Sequence, residues 1–379
     1  MPPITIDLSN PEFNYAQYAE QGPVHRWTSP NGQSGWIIVG WPETRAALTN
    51  TALAKTPAAM AGRQPSAGWK EALAAPLLSH MLAHDGPEHL RLRRTVSRLF
   101  APGTVDRFDT TISLAVSERI TALPPIGHRV DLAALYAKPI PYDIITSILG
   151  ISDPSLIESS RLLSDVLLTP PRQLQRAGIH MARKLLSEML FRHVIRRDDL
   201  LGVLARDSNL TWQEALSTAA LILIAGHETT SAFITAVFYE LLREDRKMLN
   251  SYRSGDLTMT EVTRTALNRH PPLPIATMRV ASTPVTIADI DIAAGDLVLV
   301  SLRGPDPSAP SCPHSAAAAP HMSFGYGPHY CVGSHLALKQ TIAAVEQLLV
   351  ARPDIRLDGS PQWREGIMFG GLEHLGVQL

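Results

Sequence analysis

A long apolar run with its own helix-start signal constrains the fold more than any other feature of the sequence. The run, TWQEALSTAALILIAGHETTSAFITAVFYELLRED, begins at Thr211 with the capping box Thr211-x-x-Glu214. It predicts a helix of about twice the usual length, and a helix that is apolar on most faces is normally buried. Its most apolar part, Ala215 to Gly226, is shorter than the ~20 apolar residues that cross a bilayer, so we expect no membrane span.

The centre of this run is polar, with AGHETTS from Ala225 to Ser231. Burying these groups costs several kcal/mol unless each finds a partner. In one interpretation the hydroxyls bond to carbonyls one turn earlier and bend a core helix, with Glu228 paired elsewhere. In the other the helix opens locally, and Glu228 and Thr229 handle protons over a bound ligand that Gly226 lets approach the backbone.

Most of the remaining sequence also predicts helices. GPEHLRLRRTVSRLF has Pro87 in a plausible first turn and apolar residues at helical spacing. GWIIVG and the segment VTIADIDIAAGDLVLVS from Val285 predict strands, the latter with a turn at Ala293 to Gly295. No repeat or linker divides the chain, so we expect a single, mainly α-helical domain with a small β-rich lobe over residues 1–379.

Charge and cysteine content restrict the partners and the compartment. The 34 Lys and Arg residues balance 35 Asp and Glu residues, which argues against nucleic acid or an acidic membrane as the main partner. The chain has two cysteines, Cys312 and Cys331, and no CxxC. Its first residues show neither a basic region nor an apolar run, so we expect a reducing, cytoplasmic location.

Cys331 lies in the glycine-rich stretch FGYGPHYCVG. Most free cysteines are small buried hydrophobes. Here, however, Gly325, Gly327 and Gly333 allow left-handed turns that point backbone N–H groups at one sulfur, which favours a thiolate. A zinc site needs three or four ligands, whereas a single thiolate suits haem iron, to which the porphyrin supplies four.

Together these motifs resemble the cytochrome P450 family, specifically its soluble bacterial members, over nearly the full chain. The strongest match is Phe324-Gly325-x-Gly327-x-His329-x-Cys331-x-Gly333. AGHETT matches the oxygen-activating helix motif of the family. HLRLR, with His89 and Arg93, and HPPLPIATMRVA, with Arg279, match two segments that bind haem propionates.

The resemblance implies the cytochrome P450 fold and one haem b bound through Cys331. It implies that charged and imidazole side chains bind the propionates through charge-assisted hydrogen bonds, namely His89, Arg93, Arg279 and His329. The remaining cofactor contacts that it implies are Ala225, Gly226, Phe324, Gly325 and Gly333. Glu228 and Thr229 would deliver protons to the oxygen that is being reduced.

The implied activity is O₂-dependent oxidation, chiefly hydroxylation, of a small to medium apolar molecule in specialised metabolism. Two electrons would come from a ferredoxin and its reductase, and an acidic carrier could dock on the basic patch Arg91, Arg94 and Arg98. The alternatives are oxidative cyclisation, coupling or peroxide-driven oxidation on the same haem, and a haem-binding or ligand-sensing protein without turnover.

We expect the substrate pocket to have apolar walls that set its shape. Its predicted lining is the loop after Pro57, the turn LLTPPRQ, Leu221 with Ala225, Ile275 to Thr277, and the segment MFGGL near the carboxyl end.

One expected ionic network departs from the family pattern. Where the family carries Glu-x-x-Arg before a His-Pro-Pro break, this chain has Ala266 and Arg269. A literal Glu261-Val-Thr-Arg264 lies upstream, where it would face another direction, and the segment PDPSAPSCPHSAAAAPHM lacks the arginine expected there. The sequence therefore predicts a dismantled network in which Arg269 bonds only backbone carbonyls or water, with weaker retention of haem.

Overall fold

The computed structural model describes residues 5–7, 15–29, 32–55, 79–158, 187–188, 191, 199–303, 321–364 and 369–379. The α-helices of this part of the chain are α1 (Tyr15–Gln21), α2 (Trp41–Thr49), α3 (Gly86–Leu99), α4 (Pro102–Val105), α5 (Asp109–Ala122), α6 (Pro139–Leu149), α7 (Leu200–Arg206), α8 (Trp212–Leu242), α9 (Lys247–Ser254), α10 (Met259–Arg269) and α11 (Ser334–Ala351). The strands are β1 (Thr5–Asp7), β2 (Val24–Thr28), β3 (Ser34–Ile38), β4 (Leu53–Ala54), β5 (Arg129–Asp131), β6 (Arg279–Ala281), β7 (Val285–Ile287), β8 (Ile290–Ile292), β9 (Leu297–Val300), β10 (Arg356–Leu357), β11 (Gln362–Trp363), β12 (Leu372–His374) and β13 (Gly376–Gln378).

The chain forms two compact units, each built from separate segments. The first, which we call the β-bearing unit, comprises Met1–Ala54, Val116–Ile140 and Thr229–Leu379. The second, which we call the helical unit, comprises Lys55–Ala115 and Pro141–Glu228. The single-domain organisation expected for residues 1–379 stays a prediction.

The β-bearing unit contains all the strands defined above. Its main sheet has the order β1-β2-β3-β9-β6-β4, in which β3 runs parallel to β9 and β6 antiparallel to it. Both predicted strand segments are confirmed, and the predicted turn is closed by the amide of Asp296, which donates to the Ala293 carbonyl at 3.1 Å. Buried Trp36, Ile38 and Val298 belong to the core under this sheet. The sheet positions Arg279 at the start of β6.

Helix α8 confirms the predicted capping box and the predicted length. The amide of Thr211 donates to Glu214 Oε2 at 2.7 Å, and the amide of Glu214 donates to Thr211 Oγ1 at 3.3 Å. The helix then runs without interruption for 31 residues. The local opening predicted near AGHETTS is therefore wrong. Its polar side chains find partners without breaking the helix, as at Thr230, whose hydroxyl accepts a hydrogen bond from Gln340 Nε2 at 3.3 Å.

By length and composition alone, α8 is the one helix in the described residues that could cross a membrane. In the folded chain, 67% of its apolar 18-residue window is buried. Phe233, Val237 and Phe238 are at most 1% exposed, as expected for a core helix.

In the helical unit, α3 begins as predicted with Pro87 in its first turn. Helix α3 contacts α8 through Arg91, which pairs with Glu214, and it contacts the end of α7 through Thr95, whose Oγ1 donates to Asp207 Oδ2. Gly226 lies against α6: a Cβ at this position would stand 3.0 Å from the Ile145 side chain. The direction in which a side chain would project at position 226 is thus filled by Ile145, so this glycine permits close helix packing.

Candidate functional site

The loop that carries Cys331 is held by local backbone geometry. Gly325 and Gly327 have φ of 75° and 73°, in the left-handed region that the sequence predicts for them. Gly333 does not share this geometry, because it has φ of −87° as the N-cap of α11. The Cys331 amide donates to the Phe324 carbonyl at 2.8 Å, which closes the loop. A Cβ on Gly327 would lie 2.7 Å from Thr49 Cγ2, so this position requires glycine for its φ and for its packing on α2.

The sulfur of Cys331 is placed as a ligand would be. The residue is exposed, whereas free cysteines are among the most buried residue types, so the interpretation as a small core hydrophobe is wrong. A Cβ on Gly333 would lie 3.9 Å from Sγ, which puts the sulfur beside the first turn of the 18-residue helix α11. The partial positive charge of that helix end favours an anionic sulfur.

Aromatic side chains and one backbone contact support the loop. The ring of Phe324 makes edge contacts with Phe233 of α8 and with Tyr330, both at centroid distances of 6.4 Å. Ser323 Oγ donates to the Leu267 carbonyl of α10 at 2.6 Å. The cysteine loop is therefore attached to α8 and to α10.

A stripe of accessible residues follows one face of α8 through the predicted proton-delivery motif. Leu221, Glu228 and Thr229 are partly exposed and Ala225 is exposed, whereas residues 215–220 and 230–238 are buried. Apart from Gly226, the accessible positions from 221 to 229, which include Ile224, recur at i, i+3, i+4, i+7 and i+8, and these lie on one helix face. A ligand could approach an otherwise buried helix along this face.

Glu228 has a neighbour that the sequence analysis did not consider. Its Oε1 lies 3.3 Å from Nε2 of His227, and Nδ1 of His227 donates to the Leu223 carbonyl at 2.7 Å. Because a carbonyl can only accept, Nδ1 carries a proton and Nε2 is the nitrogen that faces the carboxylate. The ring of Tyr142 contacts His227 edge-on at 5.5 Å and limits its movement. The acid and the imidazole are thus held together.

The predicted basic patch is partly neutralised. Arg91 forms ion pairs with Glu88 and Glu214, and hydrogen bonds to both carboxylates raise the pKa of its guanidinium. Arg94 and Arg98 on the same helix are exposed. An anionic partner of α3 would therefore meet these two arginines more readily than Arg91.

The predicted site residues fall into the two units. The β-bearing unit holds Thr229, Arg279, Phe324, Gly325, His329, Cys331 and Gly333. The helical unit holds His89, Arg93, Ala225, Gly226 and Glu228. Within the first set Arg279 is 2% exposed, and His329 ends the short 3₁₀ turn Gly327–His329 two residues before the cysteine. Within the second, His89 is 1% exposed and Arg93 is partly buried on α3.

Much of the predicted pocket lining lies outside the described residues, as does Cys312. This applies to the loop after Pro57, the turn LLTPPRQ and Met368. Among the described parts, Ile275 and Ala276 are buried. A Cβ on Gly371 would lie 2.5 Å from Ala232 Cβ, so the GGL segment packs directly on α8.

The ionic network around Arg269 is present, contrary to the prediction from the sequence. Arg269 Nη1 lies 2.6 Å from Oε2 of Glu240, a fully buried carboxylate in the last turn of α8. His270 Nε2 lies 2.8 Å from Oε1 of the same carboxylate. Glu261 has not taken over this role, because its carboxylate caps α10 by accepting from the Thr258 amide at 2.7 Å.

The sequence analysis missed Glu240 because its partners are remote in the chain. Arg269 is 29 residues away and contacts Glu240 only after α8 and α10 pack together. One signal was available: Glu240 is a lone charge within the apolar segment AVFYELL. A carboxylate at such a position must find a partner if the helix is buried.

Because Arg269 pairs with the Glu240 carboxylate, its removal should lower the free energy of unfolding more than removal of an arginine that bonds only backbone carbonyls or water. Arg269→Ala would break the shortest ion pair of a buried carboxylate, and breaking such a pair typically costs about 3–5 kcal/mol, rather than the ~1 kcal/mol of an ordinary hydrogen bond. Urea unfolding of the purified variant measures this loss. Glu261→Ala, which removes a helix cap, is the matched control and should have the smaller effect. A loss near 1 kcal/mol for Arg269→Ala would contradict the pairing.

We expect acid to destabilise this cluster in two steps. Burial lowers the pKa of His270 below its usual 6.5, although the Glu240 carboxylate opposes this. Burial alone would raise the pKa of Glu240, but the His270 hydrogen bond and the charges of His270, Arg269 and Arg243 hold it below its usual 4.5. In both cases the folded state binds fewer protons than the unfolded state, so stability falls as pH falls.

Urea midpoints between pH 8 and pH 4 measure the predicted pH dependence. They should decrease below about pH 6.5, where unfolded His270 is protonated, and further below about pH 4.5, where unfolded Glu240 is protonated. His270→Gln should flatten the first decrease. An equal slope in this variant and the wild type would contradict the assignment to His270.

Comparison with known proteins decides the family. No protein-family model matches the chain. The cytochrome P450 monooxygenase PikC of Streptomyces venezuelae is 32% identical over 391 residues, which cover 98% of this chain and 91% of that protein. The chain belongs to the cytochrome P450 family. The 6-deoxyerythronolide B hydroxylase of Saccharopolyspora erythraea is 28% identical over 404 residues, covering 98% of each protein.

Solved structures of this family share the fold. The tirandamycin C-bound P450 monooxygenase TamI superposes with a TM-score of 0.85 at 29% identity over the full length of both chains. The prediction of a mainly α P450 fold with a small β-rich lobe is thereby confirmed. The protein is a P450 monooxygenase, a haem enzyme that oxidises small molecules with O₂ and electrons from redox partners.

The residues present fit the haem that the family implies. Cys331 offers an exposed sulfur beside a helix N-terminus, and no group of three or more His, Cys, Asp or Glu in the described residues is arranged as a metal site. A macrocycle that brings its own nitrogen ligands suits such a lone thiolate.

Proposed function

We propose that this cytochrome P450 hydroxylates a small to medium apolar molecule of specialised metabolism in the cytoplasm. The observation that carries the proposal is the accessible stripe on α8, where Glu228 and Thr229 are partly exposed between the buried residues 215–220 and 230–238. An acid and an alcohol are costly to place at the centre of a largely buried helix, and here both remain accessible from one face. Their presence supports a role in proton transfer.

In this proposal the cofactor is haem b and Cys331 is its protein ligand. When bound, the haem supplies one-electron and O₂ chemistry, to which a thiolate ligand donates electron density. His89, Arg93, Arg279 and His329 hold the propionates by charge-assisted hydrogen bonds. Ala225, Gly226, Phe324, Gly325 and Gly333 are the further cofactor contacts. Their support is the motif match and, for Phe324, Gly325 and Gly333, their place in the loop around Cys331.

The protein's own residues manage the protons. Thr229 Oγ1 donates a hydrogen bond to the oxygen that is being reduced, and the Glu228 carboxyl replaces the proton that it transfers. Glu228 is partly exposed, so it can take up its next proton from solvent, while His227, 3.3 Å away, limits its movement. Such relays contribute typically 10²–10⁴-fold to a rate.

The nature of the substrate is argued from the lining and from relatives. The described lining positions Leu221, Ala225, Ile275 and Ala276 are apolar, so they select by shape. Related proteins include a mycinamicin IV hydroxylase/epoxidase, 29% identical, and a nocardicin C N-oxygenase, 28% identical. These relatives support oxidation of an actinobacterial-type small metabolite by this chain.

We propose a ferredoxin and its reductase as electron donors. The exposed Arg94 and Arg98 suit an acidic carrier, and long-range attraction of this kind mainly accelerates association. Because Arg91 is already paired, its substitution should slow electron delivery less than substitution of Arg94.

Oxidative coupling is the second candidate. A solved P450 that forms a C–S bond in chuangxinmycin biosynthesis superposes with a TM-score of 0.85 at 28% identity. The other two alternatives have less support. A purely peroxide-driven enzyme needs no proton relay, and the proposal of a sensor without turnover relied on a missing ionic network that Glu240 in fact supplies.

Turnover with a surrogate ferredoxin, its reductase and NAD(P)H tests the proposal. Candidate substrates are first selected by their conversion of the haem from low to high spin. We expect substrate-dependent NAD(P)H consumption and a product that carries one oxygen atom from ¹⁸O₂. Products that have lost two hydrogens without gaining oxygen would indicate coupling. Spin-state conversion with no product would indicate a sensor.

A further inference from the structure

Glu240 is a buried carboxylate at the centre of a cluster of charged and imidazole side chains that connects α8 with α10. Its side chain is 0% exposed and contacts Arg269 at 2.6 Å and His270 at 2.8 Å. Arg243 of the segment after α8 lies 3.3 Å from the same carboxylate. A carboxylate this deep is tolerated only with such partners, so its position is rigidly determined.

The partners of Glu240 are themselves held in place. The ring of His270 stacks on Trp363 at 4.6 Å and meets Tyr239 edge-on at 5.5 Å. The backbone carbonyl of Arg269 accepts from Arg303 Nη1 at 3.3 Å, which connects the cluster to the end of the main sheet. The carboxylate therefore joins α8, the end of α10, and the chain that leaves the sheet.

From the end of α10 the contacts continue to the cysteine loop. Ser323 Oγ donates to the carbonyl of Leu267, two residues before Arg269, at 2.6 Å. The next residue, Phe324, accepts the Cys331 amide at 2.8 Å and packs against Phe233 of α8. Both ends of this path lie on α8, so α8, α10 and the cysteine loop form a closed circuit within the β-bearing unit.

The circuit depends on one carboxylate. Position 266 on α10 holds a buried alanine, and Glu261 is occupied in its capping box. In the described residues, the carboxylate bonded to the Arg269 side chain is Glu240.

We infer that Glu240 is a positioning residue that fixes the Cys331 loop through Arg269 and α10. It thereby holds the Cys331 sulfur at a constant position relative to α8. This inference rests on the proposed ligation of haem by Cys331. Without the carboxylate, Arg269 and His270 lose their common acceptor, and the end of α10 no longer has a fixed place against α8. Because Ser323 bonds to Leu267 of α10, movement of the end of α10 would also move the cysteine loop.

The test compares purified holoproteins for haem retention and for the thiolate signature of the reduced carbon monoxide complex. Glu240→Gln keeps the shape of the side chain and removes its charge, and Glu261→Gln is the matched control on a capping carboxylate. We expect haem transfer to apomyoglobin to accelerate at least tenfold in Glu240→Gln, with partial conversion of the carbon monoxide complex to a form without thiolate. Glu261→Gln should stay within about twofold of the wild type on both measurements.

A compensating change adds a stricter test. Glu240→Ala combined with Ala266→Glu returns a carboxylate three residues before Arg269 on the same helix, within reach of its guanidinium. This double variant should recover haem retention and the thiolate signature relative to Glu240→Ala alone. If Glu240→Ala gives no soluble protein, recovery of soluble holoprotein in the double variant serves as the same result.

The outcomes separate this inference from the proposed function. A wild-type protein without the thiolate signature would overturn the ligation of haem by Cys331. A wild-type signature together with unchanged haem transfer in Glu240→Gln would overturn the role of Glu240 alone. A lower melting temperature with unchanged haem transfer and an unchanged signature would likewise reduce Glu240 to a general structural residue.

Discussion

Cys331→Ser is expected to eliminate the thiolate signature of the reduced carbon monoxide complex and all detectable substrate oxidation. The sulfur is exposed at the end of a glycine loop beside the first turn of α11, and a serine hydroxyl at this place stays protonated at neutral pH. The haem would then be lost or held by a weak neutral ligand. The spectrum of the carbon monoxide complex and the haem-to-protein ratio measure both effects.

The control for this variant is Cys312→Ser, because Cys312 is the other cysteine of the chain. It should retain the wild-type spectrum and activity. A thiolate-type spectrum that survives in Cys331→Ser and disappears in Cys312→Ser would transfer the ligand role to Cys312.

Thr229→Ala is expected to lower the rate of product formation by about 10²–10⁴-fold, the usual contribution of a positioned proton donor. Substrate binding and electron uptake should be unchanged, because Thr229 lies on the accessible face of α8 and its proposed role is limited to proton delivery. The electrons that no longer reach substrate should appear as hydrogen peroxide. Product, NAD(P)H and peroxide measured in one reaction give the complete balance.

Thr235→Val is the matched control on the same helix. Thr235 is fully buried, and its hydroxyl donates to the Ala232 carbonyl at 2.9 Å, so it belongs to the core face. Its loss should affect stability and leave the ratio of product to peroxide as in the wild type. A product rate for Thr229→Ala within about twofold of the wild type would contradict its role in proton delivery.

Local features of the fold could be predicted because their causes are local. The capping box of Thr211 and Glu214, Pro87 at the start of α3, and the left-handed Gly325 and Gly327 depend on neighbours within a few residues. Features of this kind can be predicted without any knowledge of how the helices pack. The predicted opening of α8 failed because it depended on where the polar groups of AGHETTS would find partners, and Gln340 of α11 provides one of them.

By itself the sequence determined the family, the loop that presents Cys331, and the acid and alcohol on α8, since each is encoded in a short contiguous motif. Only the tertiary structure decided which face of α8 stays accessible, that Gly226 serves packing against Ile145, and that Arg269 retains a carboxylate. The physical reason is that a buried charge requires a partner in space and not in sequence. An ion pair can therefore lose its acid from one helix and regain it from another, as Glu240 does for Arg269.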